Sequence, residues 1–180
     1  SEVNGVALGE VTPEMRRQAK AVNFGVIYGQ SAFGLSKQLG IGKEQAAQFI
    51  EAYFAGYPGI ETFLDRVLAE CRSRGFVTTI LGRRRAIEGV RPDPGRQRNL
   101  AERTAVNTVI QGSAADLIKL AMLAVQRRLS REKLRGKMLL QIHDELIFEV
   151  PEDELAETAA VVVEEMAGAC PMEVPLKVDT

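Results

Sequence analysis

The stretch Arg16-Arg17-Gln18-Ala19-Lys20-Ala21-Val22-Asn23-Phe24-Gly25-Val26-Ile27-Tyr28-Gly29 decides how the first part of the chain is read. Arg16, Lys20, Phe24 and Tyr28 recur every fourth residue, so a helix would place them on one slowly drifting ridge. Two cations suited to phosphate oxygens are followed by two flat rings suited to stacking on a sugar or base. A ridge running from charge to aromatic has the polarity of a nucleoside triphosphate. The same spacing also describes a solvated basic turn followed by aromatic core. Flanking residues favour the helix: Thr12 can cap it, Pro13 fits its first position, and Glu14 lies where the helix dipole favours an anion. Gly29 reads as the stop. Gly25, inside the pattern, implies a close approach to the backbone or a movable helix end.

Working outward, periodicity and punctuation predict helices at Thr12–Tyr28, Ala32–Leu39, Lys43–Ala55 and Ile60–Arg74, with Gly40, Gly56 and Gly75 as stops. Phe76–Ile80 and Arg84–Glu88 read as two short strands about Leu81-Gly82-Arg83, a hairpin with a basic tip. Arg83, Arg84 and Arg85 suit backbone contact or local ion pairing. Arg91–Gly95 is a loop, and a long helical pattern runs from Arg96 to about Leu129 with an expected break at Gln111-Gly112-Ser113. Lys137–Ile142 and Leu146–Val150 form a second hairpin about His143-Asp144-Glu145, followed by a helix at Glu152–Ala167 and a last strand at Val174–Val178. The fold class is α+β: a helical part followed by a mixed one.

The second hairpin has chemical potential. Its apolar flanks, Met138-Leu139-Leu140 and Leu146-Ile147-Phe148, are expected to bury it and hold its tip rigid. A carboxylate fixed there can bind Mg²⁺, which takes one or two carboxylates together with substrate phosphates. Arg103, Asn107 and Gln111 also have helical spacing; such side chains can donate to minor-groove acceptors whatever the base pair, or bond to one another along a polar face.

Composition bounds these readings. The 180 residues are 46% hydrophobic and 26% charged, enough to bury a core in one domain or two small ones. The net charge of -1 conceals a division: up to Lys137 the balance is +9, and from Met138 onward it is -10. A polyanion-facing surface on the first part is expected. Cys71 and Cys170 are isolated from one another and from the lone His143, which excludes a disulfide framework and multi-histidine metal sites. No apolar run approaches the roughly 18 to 20 residues needed to span a bilayer and no signal peptide is visible, so the expectation is a cytoplasmic chain with no membrane partner.

Three ordered segments carry a resemblance: the helix above, Arg103-Thr-Ala-Val-Asn107-Thr-Val-Ile-Gln111-Gly-Ser-Ala-Ala-Asp116, and Gln141-Ile142-His143-Asp144-Glu145. Together they resemble the family A DNA polymerases of the bacterial DNA polymerase I type, from about Val11 to about Val178. The resemblance implies a fingers subdomain at 1–100 and the C-terminal part of a palm subdomain at 101–180. It implies template-directed DNA synthesis on a primer-template DNA. Arg16 and Lys20 would hold the dNTP phosphates, Phe24 its sugar, and Tyr28 would guard the templating base. Arg103, Asn107, Gln111 and His143 would contact DNA. Asp144 would be a metal ligand with Glu145 beside it. His143, Asp144, Glu145 and Lys20 make up the catalytic set. Two Mg²⁺ ions are implied, the second aspartate ligand lying outside this chain. The family's Asp-x-Ser-x-Ile-Glu segment, with its sugar-gating glutamate, is absent before Arg16. The expectation is therefore a fragment that is inactive alone and completed by the remaining palm and thumb. A single-subunit RNA polymerase fragment and a non-catalytic, polymerase-derived DNA-binding module are the alternatives. Phe24-Gly25, Glu145 and the Gln111–Asp116 run favour the DNA enzyme.

Overall fold

The computed structural model describes residues 7–90 and 99–180, which form two compact units dividing between Ile110 and Gln111. The expected Arg91–Gly95 loop and the helix start at Arg96 lie outside the described residues.

The first unit is helical. A short 3-10 turn at Leu8–Glu10 leads to α1 (Pro13–Ile27), α2 (Ala32–Leu39), α3 (Lys43–Gly56) and α4 (Pro58–Arg74). The Thr12 hydroxyl accepts from Met15 N at 3.2 Å to cap α1, and Ser31 does the same for α2 through Gly34 N. Gly40 and Gly75 close α2 and α4 in the left-handed conformation, at φ 68° and 74°. Gly56 is instead the last residue of α3, with Tyr57 as its cap.

Val22 and Val26 of α1 pack with Leu35, Ala46 and Tyr53 in one cluster. Leu64, Val67, Leu68 and Cys71 of α4 form another with Val77, Ile87, Ala105 and Val106. Strands β1 (Phe76–Thr78) and β2 (Arg84–Ala86) make the expected antiparallel hairpin, Val77 opposite Arg85, with Gly82 at φ 81° in its turn.

Helix α5 (Leu100–Glu132) starts with a capping box: Glu102 N donates to Asn99 Oδ1 and Asn99 N donates to Glu102 Oε2, both at 2.8 Å. Glu102 is buried and takes a 3.4 Å contact from the Arg72 guanidinium. The break expected at Gln111-Gly112-Ser113 is absent; α5 runs through it. One helical glycine costs about 1 kcal/mol, and good helix formers on both sides, Ala101 and Ala105 before and Ala114, Ala115 and Leu117 after, outweigh it.

The second unit packs the end of α5 on α6 (Leu155–Ala167) through Val125, Leu129, Val161 and Val162. An 18-residue window of α5 has a mean hydropathy of 1.4 and is long and apolar enough to cross a membrane. The expectation that no apolar run approaches this length is corrected by α5, whose apolar residues are interspersed with a few polar ones. Only 17% of that window is buried in the structure. The helix ends in a Schellman motif: Lys133 takes φ 60°, Leu134 N donates to the Leu129 carbonyl at 3.0 Å, and Leu134 packs against the cluster.

Strands β3 (Lys137–Ile142) and β4 (Glu145–Glu149) pair antiparallel, with an irregularity between Met138 and Leu140. The expectation of buried strands is not met. Leu139, Leu140, Ile142 and Ile147 are exposed, and only one face, with Met138 and Phe148, packs on the core. A two-stranded sheet has two faces, and α5 and α6 cover one of them. A 3-10 turn at Glu152–Glu154 precedes α6. The expected strand at Val174–Val178 is also absent: no described strand pairs with it, and Pro175 withholds a donor.

Arg135 ties the start of β3 to that 3-10 turn. Its backbone N and its Nε each reach Glu154 at 2.6 Å, and its Nη2 pairs with Asp153. These bonds, the guanidinium's first, hold the Glu154 carboxyl below its ordinary range. A depressed folded-state pKa adds stability that is complete above the unfolded value of about 4.3 and lost as pH falls through the lower folded value. Parent and Glu154→Gln should therefore differ in urea stability near neutral pH, the gap closing only as pH falls below the ordinary carboxyl range and through the depressed folded-state value; a gap independent of pH would contradict the clamp. For the capping box, Asn99→Ala should cost about 1 kcal/mol in the same assay. An unchanged midpoint would mean that the cap contributes nothing.

Candidate nucleotide-binding site

One side of α1 is spent on packing, and the other lines a cleft of about 640 Å³ in the first unit. From α1 come Arg17, Lys20, Ala21, Phe24, Gly25 and Tyr28. Gln30, Gln38 and Leu39 close another side, and Arg103 and Asn107 of α5 a third.

The expected ridge exists from Lys20 onward. Lys20 Nζ lies 5.9 Å from the centre of the Phe24 ring. Phe24 and Tyr28 stack with centroids 6.1 Å apart and planes 24° from parallel. Phe24 is 48% exposed, so an aromatic face is presented outward beside an ammonium group. Burial of Val22 and Val26 on the opposite side fixes this presentation. Tyr53 OH adds to it by donating at 2.6 Å to Asn23 Oδ1. Burial pushes the Tyr53 phenol above its ordinary pKa, with Tyr57 adding to the shift.

Arg16 is exposed but does not line the cleft, whereas its neighbour Arg17 does. The Arg17 guanidinium is held by Glu14 through bonds of 2.9 and 2.7 Å, which raises the arginine pKa and lowers that of the carboxylate. Gly25 meets the close approach read from its sequence position: a Cβ there would collide with Gln30 Oε1.

Arg103 and Asn107 thus join Lys20, Phe24 and Tyr28 around one cavity, although they lie far apart in sequence. Asn107 Oδ1 is buried without a hydrogen-bond partner among the described residues. Gln111 is exposed on α5, in the second unit. Of the hairpin arginines, Arg84 lies 5.0 Å from the Phe76 ring centre and Arg85 donates to Thr108 Oγ1 at 3.0 Å. Sequence reasoning missed Arg17, Gln30 and Gln38. Arg17 lies beside the chosen register, while the two glutamines carry no motif of their own.

The second unit presents His143-Asp144 as a two-residue turn between β3 and β4, with Glu145 opening β4 opposite Ile142. His143 has φ 56°, a left-handed conformation rare outside glycine, and its carbonyl accepts from Gln141 Nε2 at 2.7 Å. A strained non-glycine residue at a tip is a feature found at functional sites. All three side chains are exposed, and among the described residues no side chain engages either carboxylate. That donor set suits Mg²⁺, which needs few protein ligands. No group of three His, Cys, Asp or Glu side chains gathers as a metal site among the described residues.

Comparison with known proteins decides the family. The model of DNA polymerase family A matches residues 1–180. This chain belongs to DNA polymerase family A. DNA polymerase I of Bacillus caldotenax is 48% identical to this family A chain over 174 residues, which is 97% of it and 20% of the relative. DNA polymerase I of Geobacillus stearothermophilus is 49% identical over 170 residues, 94% of this chain and 19% of its own length. The chain thus spans about a fifth of the relatives it matches. A solved structure of the polymerase domain of Pol1 from M. smegmatis, in complex with DNA primer-template and dNTP, superposes with a TM-score of 0.89 at 44% identity. The match covers 97% of this chain and 31% of that one.

Proposed function

We propose that this chain carries the nucleotide-selecting helix and one metal-binding carboxylate of a bacterial, template-directed DNA polymerase. It would work on primer-template DNA and dNTPs in the cytoplasm or nucleoid. The observation that carries this reading is the cleft in which Lys20, stacked Phe24 and Tyr28, and the minor-groove-type donors Arg103 and Asn107 converge. The M. smegmatis relative, solved with DNA and dNTP, supports it.

In this reading residues 1–100 act as fingers and 101–180 as the C-terminal part of a palm. A primer 3′-hydroxyl attacks the α-phosphate of the dNTP and pyrophosphate leaves. Lys20 offsets charge building on the leaving pyrophosphate, and Arg16, exposed one turn earlier and outside the cleft lining, would reach the phosphates that extend beyond it. Phe24 packs on the sugar and Tyr28 on the base being copied. Arg103, Asn107 and Gln111 check the base pair through its minor groove. Asp144, with Glu145 beside it, would hold Mg²⁺, which supplies charge stabilisation at the attacking and leaving oxygens. His143 positions the primer end. A second aspartate, and the thumb and remaining palm, would come from outside these 180 residues.

In the intact polymerase, Lys20→Ala should weaken dNTP use about ten- to a hundredfold while leaving DNA affinity nearly unchanged, the loss expected for one charge-assisted phosphate contact. Single-turnover insertion and DNA binding measured together test this. Weakened DNA binding with normal dNTP use would move Lys20 onto the duplex track. Asp144→Ala should abolish chemistry yet retain primer-template binding, since duplex affinity comes mainly from phosphate contacts. Near-normal extension by Asp144→Ala would refute the metal assignment.

A further inference from the structure

The cleft side of α1 is presented by packing on its other side, and that packing is apolar: Val22 and Val26 lie against Leu35, Ala46 and Tyr53. Apolar contact is non-directional. It forbids a large roll of the helix, whereas a small one keeps both valines covered and costs little. At the roughly 5–6 Å radius of a helix with its side chains, a roll of about 20° carries a side-chain tip about 2 Å. A charge-assisted phosphate bond, about 2.8 Å long, does not survive that displacement. Packing alone therefore leaves the aim of Lys20 and Phe24 undetermined on the scale that binding needs.

A directional contact supplies what the packing lacks. Tyr53 OH of α3 donates to Asn23 Oδ1 of α1 at 2.6 Å. The Tyr53 side chain is a rigid anchor: it is buried, with Phe54 edge-on at 5.8 Å and Tyr57 tilted against it at 5.3 Å. Asn23 is exposed and lies outside the cleft lining. Three residues of helix fall about 60° short of a full turn, so Asn23 stands about 60° from Lys20 on one side and about 60° from Val26 on the other. It marks the border between the cleft side and the packed side, and it directly precedes Phe24. We propose that Tyr53 is a positioning residue for nucleotide binding, acting through Asn23 to fix the rotational phase of α1 and so the places of Lys20 and Phe24. This rests on the polymerase reading of the cleft. The plainer role for the bond is to satisfy a buried phenol, which requires a partner but no consequence for the dNTP.

A double-mutant cycle in the intact polymerase separates the two roles. Tyr53→Phe removes only the hydroxyl. Asn23→Ala, at an exposed position, breaks the same bond from its other end without touching the core. Single-turnover insertion gives the apparent dNTP affinity and the maximal rate, and primer-template binding is measured beside them. Each single variant should weaken dNTP affinity about three- to tenfold, the size of one net hydrogen bond, with DNA affinity unchanged. The double variant should be no weaker than either single one, because both changes break one bond. Equal losses of dNTP and DNA affinity, or losses that multiply in the double variant, would make the bond general scaffolding and overturn the proposal. An active parent whose two single variants bind dNTP as the parent does would also overturn it, and would leave the polymerase reading intact. A parent without any templated insertion would overturn the polymerase reading and the positioning role with it.

Discussion

The burial of Val22 and Val26 against Leu35, Ala46 and Tyr53 is the constraint on which the candidate site depends. Burying each valine stabilises the helix by roughly 1.5–3 kcal/mol, well above the cost of about 1 kcal/mol for carrying Gly25 inside it. Helix α1 therefore stays helical to Ile27 and cannot roll without exposing both valines. With that side fixed, Lys20, Phe24 and Tyr28 must face the cleft. Gly25 is where the same helix admits another chain segment, the Gln30 side chain, to its surface. Packing on one side and chemistry on the other are two consequences of one periodicity.

The two units carry different kinds of chemistry, and their charges differ accordingly. The first is basic and contains a cleft with cationic and aromatic walls. The second ends acidic, and its hairpin tip presents Asp144 and Glu145 that no side chain among the described residues engages. In the proposed function these correspond to holding an anionic substrate and holding a cation.

The helices of the first unit were legible in the sequence because their signals are local. Thr12-Pro13, Gly40 and Gly75 act within a turn of where they sit, and each does what its residue type dictates. The ends of α5 were harder to place. Its capping box needs Asn99 and Glu102 together, and its final Schellman turn depends on Leu134 finding Leu129. The break expected at Gly112 failed because local propensity is a small term beside the rest of a 33-residue helix. Buried strands at Met138–Leu140 were expected because hydrophobicity was equated with burial, and the faces of a two-stranded sheet do not obey that equation. In the site, Lys20, Phe24 and Tyr28 were visible from spacing. That Arg17 rather than Arg16 lines the cleft depends on helical phase, which differs by 100° between neighbours. Gln30 and Gln38 come together only through the turn between α1 and α2, which no residue pattern announces.

The central claim is that the outward side of α1 receives a nucleoside triphosphate. Titrating a dNTP into the 180-residue chain and following its backbone amides by NMR tests this most directly. The largest shifts should fall at Lys20, Phe24, Tyr28 and the facing Asn107, and they should diminish at high salt as phosphate contacts are screened. Shifts confined to the arginine hairpin at Arg83–Arg85, with α1 silent, would contradict the account.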